Sequence, residues 1–519
     1  MRRSNLHIVM GPIYTRPMAT PAILGIIALD RRARVPLQTQ LYRALREAIL
    51  QGRLRPGLRL PATRMLAHDL RVGRNTVVAV FEQLIAEGYL EARVGAGTVV
   101  ATIPETLLQP KQTPASKSST SDTPRLSQRG TDMARIRRAS PEAPTRAFQV
   151  GLPAVDVFPT ETWARLLGRR SRMLTRAGLG YDYATGYPPL CEAIAGYLGA
   201  ARGVVCGPEQ VIVVAGAQAG LDLACRMLLD PKDAAWIEEP GYLGARGALL
   251  AASATLVPVP VDAEGLDVAA GARAAPSARL VYTSPSHQLP LGVTVSLARR
   301  LALLDWATRA GAWVLEDDYD SEYRYGGRPL AAMQGIDATG RVIYVGTFSK
   351  TMFPALRVGY LVVPPPLVEP FAVAMRHTGH SAPVAVQAAL ADFIVDGHFA
   401  SHVRRMRALY AARQARLLRG ARRHLAGLVD IAPAEAGMHL LAELPAGTDD
   451  VEVAARALRA GIVVRPLSIH YMGRPARTGL LLGYAGVPER EIDRGVEQLA
   501  LVLREGGRRL ASTGVRSKA

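Results

Sequence analysis

Cysteine is scarce in this chain, with three residues in 519. Cys191, Cys206 and Cys225 are too few and odd in number for a disulfide framework. They form neither a C-x-x-C pair nor a Cys/His metal pattern, so they read as small thiols in a reducing compartment. Long apolar runs are also missing from the start. The longest there, Ala22 to Leu29, is far short of the ~20 residues that cross a bilayer. Pro12, Pro17 and Pro21 break up the N-terminal segment ahead of that run and no A-x-A-like cleavage site follows, which argues against a signal peptide and a membrane role and leaves a cytoplasmic location as the expectation. Residues 1 to about 25 lack a structural pattern; a flexible arm and an early start codon, with Met10 or Met18 as the later start, both account for them. Low hydrophobicity is not a feature: 49% of residues are apolar and 21% charged, which excludes a disordered chain.

What the chain has in excess is positive charge, +19 net, and it is unevenly placed. Residues 1–101 carry +9, residues 102–147 carry +4, and the remaining 372 residues hold only +6. A small basic head on a nearly balanced body points to a polyanion as the head's partner.

Residues 36–102 have the pattern of a winged helix-turn-helix, after an extension over 1–35. Leu37, Leu41, Leu45 and Ile49 share one helix face, a short helix is expected near 63–70, and a third over about 74–87 buries Val77, Val80, Phe81, Leu84 and Ile85. Two strands follow, Tyr89 to Arg93 and Thr98 to Ala101, joined by a wing at Val94-Gly95-Ala96-Gly97. The third helix opens on Arg74-Asn75-Thr76, residue types that suit base edges and phosphate when a helix N-terminus enters the major groove. Arg64 is placed for backbone contact, and Arg93 with the glycines Gly95 and Gly97 lets the wing approach the duplex closely.

Residues 103–147 are rich in Pro, Ser, Thr and basic residues and read as a flexible linker unable to order itself. From 148 to 505 strands alternate with helices, at Val211–Ala215, Ala234–Ile237, Leu280–Tyr282, Ala312–Leu315, Val342–Val345 and Tyr360–Val363. This is an α/β body with a mostly parallel sheet; after about 400 a smaller subdomain of helices and a few strands follows, then a tail over 506–519.

Four segments of the body suggest pyridoxal phosphate. A strand, the turn Gly216-Ala217-Gln218 and a helix make a backbone cradle for phosphate. Asp317, at the end of a buried strand, can pair with the pyridine nitrogen, and Tyr319 can reach the 3-oxygen. Ser349-Lys350 follows another strand, where a shielded lysine can lose its proton and form a Schiff base. Ser349 and the fork of Arg357 suit phosphate, and Tyr242 after Glu239-Pro240-Gly241 can stack on a ring.

The run from Leu50-Gln51-Gly52-Arg53 to Arg59-Leu60-Pro61, with Arg74-Asn75-Thr76-Val77 and Glu87-Gly88-Tyr89-Leu90, resembles GntR-type winged-helix repressors over 36–101. Met65 and Gly73 depart from that pattern, where an acid and a serine are usual. Tyr183-Ala184-Thr185-Gly186-Tyr187-Pro188, Ser349-Lys350-Thr351 and Pro354-Ala355-Leu356-Arg357-Val358-Gly359-Tyr360 resemble fold type I aminotransferases from about 148 to 505. That resemblance implies Lys350 as the Schiff-base lysine, Asp317 on the pyridine nitrogen, Tyr319 on the 3-oxygen, Arg357 on the phosphate and Tyr242 stacked on the ring. Two positions differ: Leu289 stands where those enzymes have an Asn, and Leu481 where they have the Arg that holds the substrate carboxylate. Arg477 and Arg465 are both open as substitutes.

Head and body together resemble the MocR/GabR transcription regulators. The resemblance implies a pyridoxal-phosphate-dependent DNA-binding regulator whose aminotransferase-like body is used as a sensor, with residual transamination left open, and in which an amine or amino-acid effector displaces Lys350 from its Schiff base. It also implies a head-to-tail homodimer on double-stranded operator DNA. Two other readings stand beside it: a working aminotransferase with an appended head, which the two altered positions oppose, and a cofactor-free dimerisation scaffold, which the intact Lys350, Asp317, Tyr319 and Arg357 set opposes.

Overall fold

The computed structural model describes residues 27–93, 97–102, 126–136, 146–180, 183–326 and 330–514. The chain divides into two compact units, Met1–Pro124 and Arg125–Ala519.

In the first unit α1 (Leu37–Leu50), α2 (Thr63–Leu70) and α3 (Arg74–Ala86) precede β1 (Leu90–Arg93) and β2 (Gly97–Val100). The apolar periodicity of α1 and α3 closes the core: Leu41, Leu45 and Ile49 pack with Leu66, Val77, Val80, Phe81 and Leu84. Ile85 is only half-buried. β1 and β2 pair antiparallel, Leu90 opposite Val100 and Arg93 opposite Gly97. The head begins earlier than residue 36. Ile27 is buried in the same core, and the Gln40 side chain donates to the carbonyls of Asp30 and Val35 while accepting from the Asp30 N–H. The glutamine thus ties 27–35 to α1, a role its position does not reveal. Val94, Gly95 and Ala96 of the expected wing lie outside the described residues.

The second unit opens on α4 (Gln128–Ala134), inside the stretch expected to be structureless. Ser127 caps it, its hydroxyl accepting from the Gly130 N–H at 3.0 Å. The next elements that position the site are α5 (Pro188–Arg202), β3 (Val211–Val214), α6 (Ala217–Leu228), β4 (Ala234–Glu239), α7 (Leu243–Ala251), β5 (Thr255–Asp262), β6 (Gly265–Leu266), β7 (Leu280–Thr283), β8 (Trp313–Asp318), β9 (Val342–Thr347) and β10 (Gly359–Val362). Ile136, just past α4, packs on α7, with Cδ1 3.5 Å from where a Cβ on Gly247 would stand. This local apolar contact gives part of the linker its order.

The sheet order is β3-β10-β9-β8-β7-β4-β5-β6. β4, β5, β7, β8 and β9 run parallel, while β10 is antiparallel to both β3 and β9. β3, β7, β9 and β10 are buried throughout, as in a sheet covered on both faces. β5 carries Pro258 and Pro260, which hide a strand from sequence; among the described residues its outer edge pairs only with the short β6, so the missing N–H groups cost little there. Beyond the long α8 (His398–His424), β11 (Asp430–Ile431), β12 (His439–Glu443), α9 (Asp450–Arg459), β13 (Arg465–Pro466), β14 (Gly479–Gly483) and α10 (Glu489–Gly514) form the smaller α+β subdomain. Its four strands lie in the order β11-β12-β14-β13.

Candidate functional site

Side chains gather where β8, β9 and the β3–α6 turn end. Lys350 follows β9, and its Nζ donates to the carbonyl oxygen of Gly151 at 2.8 Å. Burial, then the charge of Arg465, lowers its ammonium to about 8, against the upward pull of Asp320 and Asp317.

β8 finishes on three buried carboxylates, and each has its own partners. Glu316 accepts from the N–H groups of Met333 and Gln334. Asp318 turns to Arg202 of α5 at 2.7 Å and to the Tyr344 hydroxyl. Asp317 accepts from the Tyr282 hydroxyl at 2.7 Å through Oδ2, while its buried Oδ1 has no partner. Burial is the main cause that lifts Asp317 to about 7.

α6 starts without a side-chain cap at Gly216, which has φ +92°, a conformation glycine takes at no steric cost. The end of the helix therefore offers the backbone N–H groups of Ala217 and Gln218. The Gln218 side chain is used elsewhere, donating to the Gly244 carbonyl at 2.9 Å. Gly359 lets β10 pass under this end, since a Cβ there would stand 2.8 Å from the Ala217 nitrogen. Arg357 has left-handed backbone, φ 52°, and its guanidinium carbon lies 3.8 Å from where a Cβ on Gly216 would stand. Tyr242 precedes α7 with its ring 6.4 Å from that of Tyr282, and burial pushes its phenol up to about 12.

The eight expected residues of the body, Lys350, Asp317, Tyr319, Arg357, Tyr242, Ala217, Gln218 and Ser349, all line one cavity of about 340 Å³. Leu289, Arg465 and Tyr282 share its wall. Tyr282 had been legible only as a strand residue; its role beside Asp317 depends on β7 and β8 being neighbours. A second unforeseen group is His287, whose Nδ1 lies 3.0 Å from both the Tyr319 hydroxyl and an Asp320 oxygen. Only the fold joins these three.

The two departures from the aminotransferase pattern meet in space. Leu289 and Leu481 belong to one small apolar cluster with Val150 and Leu467, against which Tyr242 and Tyr319 pack. Of the two open arginines, Arg477 is paired with Glu443 in a different cleft. Arg465 lies in β13 directly opposite Leu481 and lines the cavity.

On the head, α3 begins at Gly73 without a side-chain cap and with no acid in its first turn. Arg74 and Asn75 are exposed and Thr76 is half-buried on the first turn of that helix. Arg64 is exposed on α2, and Arg93 is exposed beside Glu91 at 3.1 Å. Gly97 has φ +80° and is overlain by the guanidinium of Arg59, a basic residue at the wing that the sequence did not single out for contact. Gly95 lies outside the described residues.

Residues 37–100 match the bacterial regulatory proteins of the gntR family, and residues 161–499 match aminotransferase class I and II. The probable rhizopine catabolism regulatory protein MocR of Rhizobium meliloti is 47% identical over 91% of this chain and 95% of its own. The pyridoxine biosynthesis transcriptional regulator PdxR of Corynebacterium glutamicum is 31% identical over 89% of this chain and 95% of its own. A kynurenine aminotransferase of Pyrococcus horikoshii, solved with PMP, is 29% identical with a TM-score of 0.65, covering 70% of this chain and 92% of that one.

Proposed function

Since the chain belongs to the MocR-type transcription regulators, a gntR-family head joined to an aminotransferase class I and II body, we propose that the body holds pyridoxal phosphate and senses an amine or amino acid with it, shifting how the head sits on operator DNA. The residues present fit this group. A buried carboxylate oxygen without a partner, an uncapped helix N-terminus beside a guanidinium, and a lysine of lowered basicity share one cavity. When bound, pyridoxal phosphate supplies an aldehyde carbon open to amines and a ring that draws electrons once its nitrogen is protonated.

Each residue then has a distinct task. The N–H groups of Ala217 and Gln218, with Ser349 and the fork of Arg357, hold phosphate. Asp317 keeps a proton on the ring nitrogen through Oδ1, steadied from the other side by Tyr282. Tyr242 packs on the ring face, and Tyr319 reaches the 3-oxygen from its place beside His287. Lys350, lowered to about 8, holds far more uncharged amine at neutral pH than an ordinary lysine does, as an attacking amine requires. On the head, Arg74, Asn75 and Thr76 meet base edges and phosphate, with Arg64, Arg93 and the wing glycines on the backbone.

The family further supports a head-to-tail homodimer acting in the cytoplasm on two half-sites. The gathering of all eight residues on one cavity carries the reading. The visible spectrum of the purified protein with added pyridoxal phosphate tests it, followed by titration with amines and amino acids and then a keto acid. A band that shifts with an amine and persists supports a sensor. A protein that stays colourless overturns the reading. A band lost to an amino acid and restored by keto acid makes the body a working aminotransferase.

A further inference from the structure

β7 and β8 run side by side, and the loops that leave them bring an imidazole, a phenol and a carboxylate into contact. Tyr319 and Asp320 follow β8 and line the cavity. His287, in the loop after β7, is buried behind them. Its Nδ1 lies 3.0 and 3.2 Å from the two oxygens of Asp320 and 3.0 Å from the Tyr319 hydroxyl. A carboxylate only accepts, so the Nδ1 beside it carries a hydrogen and donates. That nitrogen then has no lone pair to offer, and the Tyr319 oxygen can face it only as an acceptor. The second ring nitrogen fits this arrangement. Nε2 is buried without a partner among the described residues, a condition that a bare acceptor bears at less cost than an N–H does. Two glycines confine the ring: a Cβ on Gly437 would stand 2.0 Å from its Cε1, and one on Gly292 3.2 Å from its Nε2. Tyr319 keeps its own proton, since burial, then the charges of Asp320 and Asp317, holds its phenol well above the ordinary value. That proton is therefore turned away from His287.

We propose that His287 is a positioning residue for the cofactor: held by Asp320, its Nδ1–H occupies the inner side of the Tyr319 oxygen and leaves the phenol's proton to the 3-oxygen of the ring. This rests on the proposed pyridoxal phosphate site. Leu289, apolar where the aminotransferase pattern has an Asn, lines the same cavity and offers no donor of its own, so the direction of the Tyr319 hydroxyl matters the more. The consequence is electrostatic. The 3-oxygen bears most negative charge when the Schiff-base nitrogen of Lys350 has lost its proton, and a donor held at that oxygen favours the unprotonated form.

Two measurements on the full-length protein test this. In the first, the ring nitrogens of isotope-labelled histidine are read by NMR in the apoprotein, the His287 signals being those lost in His287→Asn. They should report Nδ1 protonated and Nε2 bare; the reverse tautomer would overturn the proposal, and this reading needs neither cofactor nor a destabilising variant. In the second, the visible band of the holoprotein is titrated with pH. His287→Leu should raise the midpoint of the band change by about one unit, because the unprotonated form loses its donor. Tyr319→Phe should raise it likewise, and the double variant should go no further than Tyr319→Phe alone, since His287 acts through that hydroxyl. His287→Asn carries an amide N–H on the same side-chain carbon as Nδ1 and should hold the midpoint close to that of the wild type. Leucine fills the space of the ring better than asparagine does, so equal shifts in the two variants, or additive shifts in the double variant, would reduce His287 to packing and overturn the assignment. A midpoint raised by Tyr319→Phe but unmoved by His287→Leu overturns it as well and leaves the cofactor site standing. Absence of any visible band in the wild type instead overturns the cofactor reading beneath it.

Discussion

At the scale of single residues, Lys350 carries the sharpest consequences. Its ammonium is lowered to about 8 from an ordinary value of 10.5, first by burial and then by Arg465. Uptake of pyridoxal phosphate by the apoprotein needs the uncharged amine. Stopped-flow absorbance should show the uptake rate rising with pH below 8 and levelling above it. A flat profile from pH 6 to 9 would exclude Lys350 as the limiting amine. The same shift bears on stability. Between pH 8 and 10.5 the unfolded chain binds more protons at this lysine than the folded one, so its burial penalty is fully present below 8 and fades as pH rises toward 10.5. Lys350→Met should therefore abolish the visible band yet melt higher than wild-type apoprotein at pH 7, with the gap closing at alkaline pH. Asp317 was identifiable from its motif, but its distinction from Asp318 is made by the sheet. One neighbour's carboxyl turns to Arg202, while Asp317 remains on the cavity.

At the scale of elements, two helices matter beyond their packing. α3 presents Arg74 and Asn75 from an uncapped N-terminus, the arrangement by which a helix offers side chains and N–H groups to a groove together. Arg74→Ala should weaken specific operator binding by about 1–3 kcal/mol at fixed salt and relax preference at one base position; unchanged affinity removes it from the reading face. α4 is the other. It is short, capped by Ser127, and anchored by Ile136 on α7, the helix that Tyr242 precedes. Ile136→Asp should free the segment around 126–136 and speed its cleavage in limited proteolysis, with the visible band unchanged. Composition concealed this helix because a single apolar anchor among prolines, serines and arginines leaves no periodic trace. β5 was hidden for the related reason that its prolines argue against a strand unless the edge is known.

For the whole molecule, the two units have separate cores, Leu41, Leu66, Phe81 and their neighbours in one and the sheet and subdomain clusters in the other. Removing residues 1–124 should thus leave a folded body that still turns yellow with pyridoxal phosphate. Aggregation of that fragment would count against independent units. The full chain, with its basic head, should lose operator affinity steeply as salt rises, by a log–log slope of about −0.9 per phosphate neutralised. Among the described residues no helix is long and apolar enough to cross a membrane.

The chain's order of residues was enough to settle the winged head, the α/β body, the Lys350 and Asp317 motifs and the absence of the usual Asn and Arg at Leu289 and Leu481. These are local facts: helix and strand periods, turn residues and short motifs are written in neighbouring positions. Tertiary structure alone decided that Tyr282 supports Asp317, that Gly151 receives Lys350, that Leu289 and Leu481 form one apolar wall, and that Arg465 and not Arg477 joins the cavity. Each of those pairs lies on different strands or loops. Which strands become neighbours, and in what register, depends on burying two sheet faces at once, and no single segment carries that information.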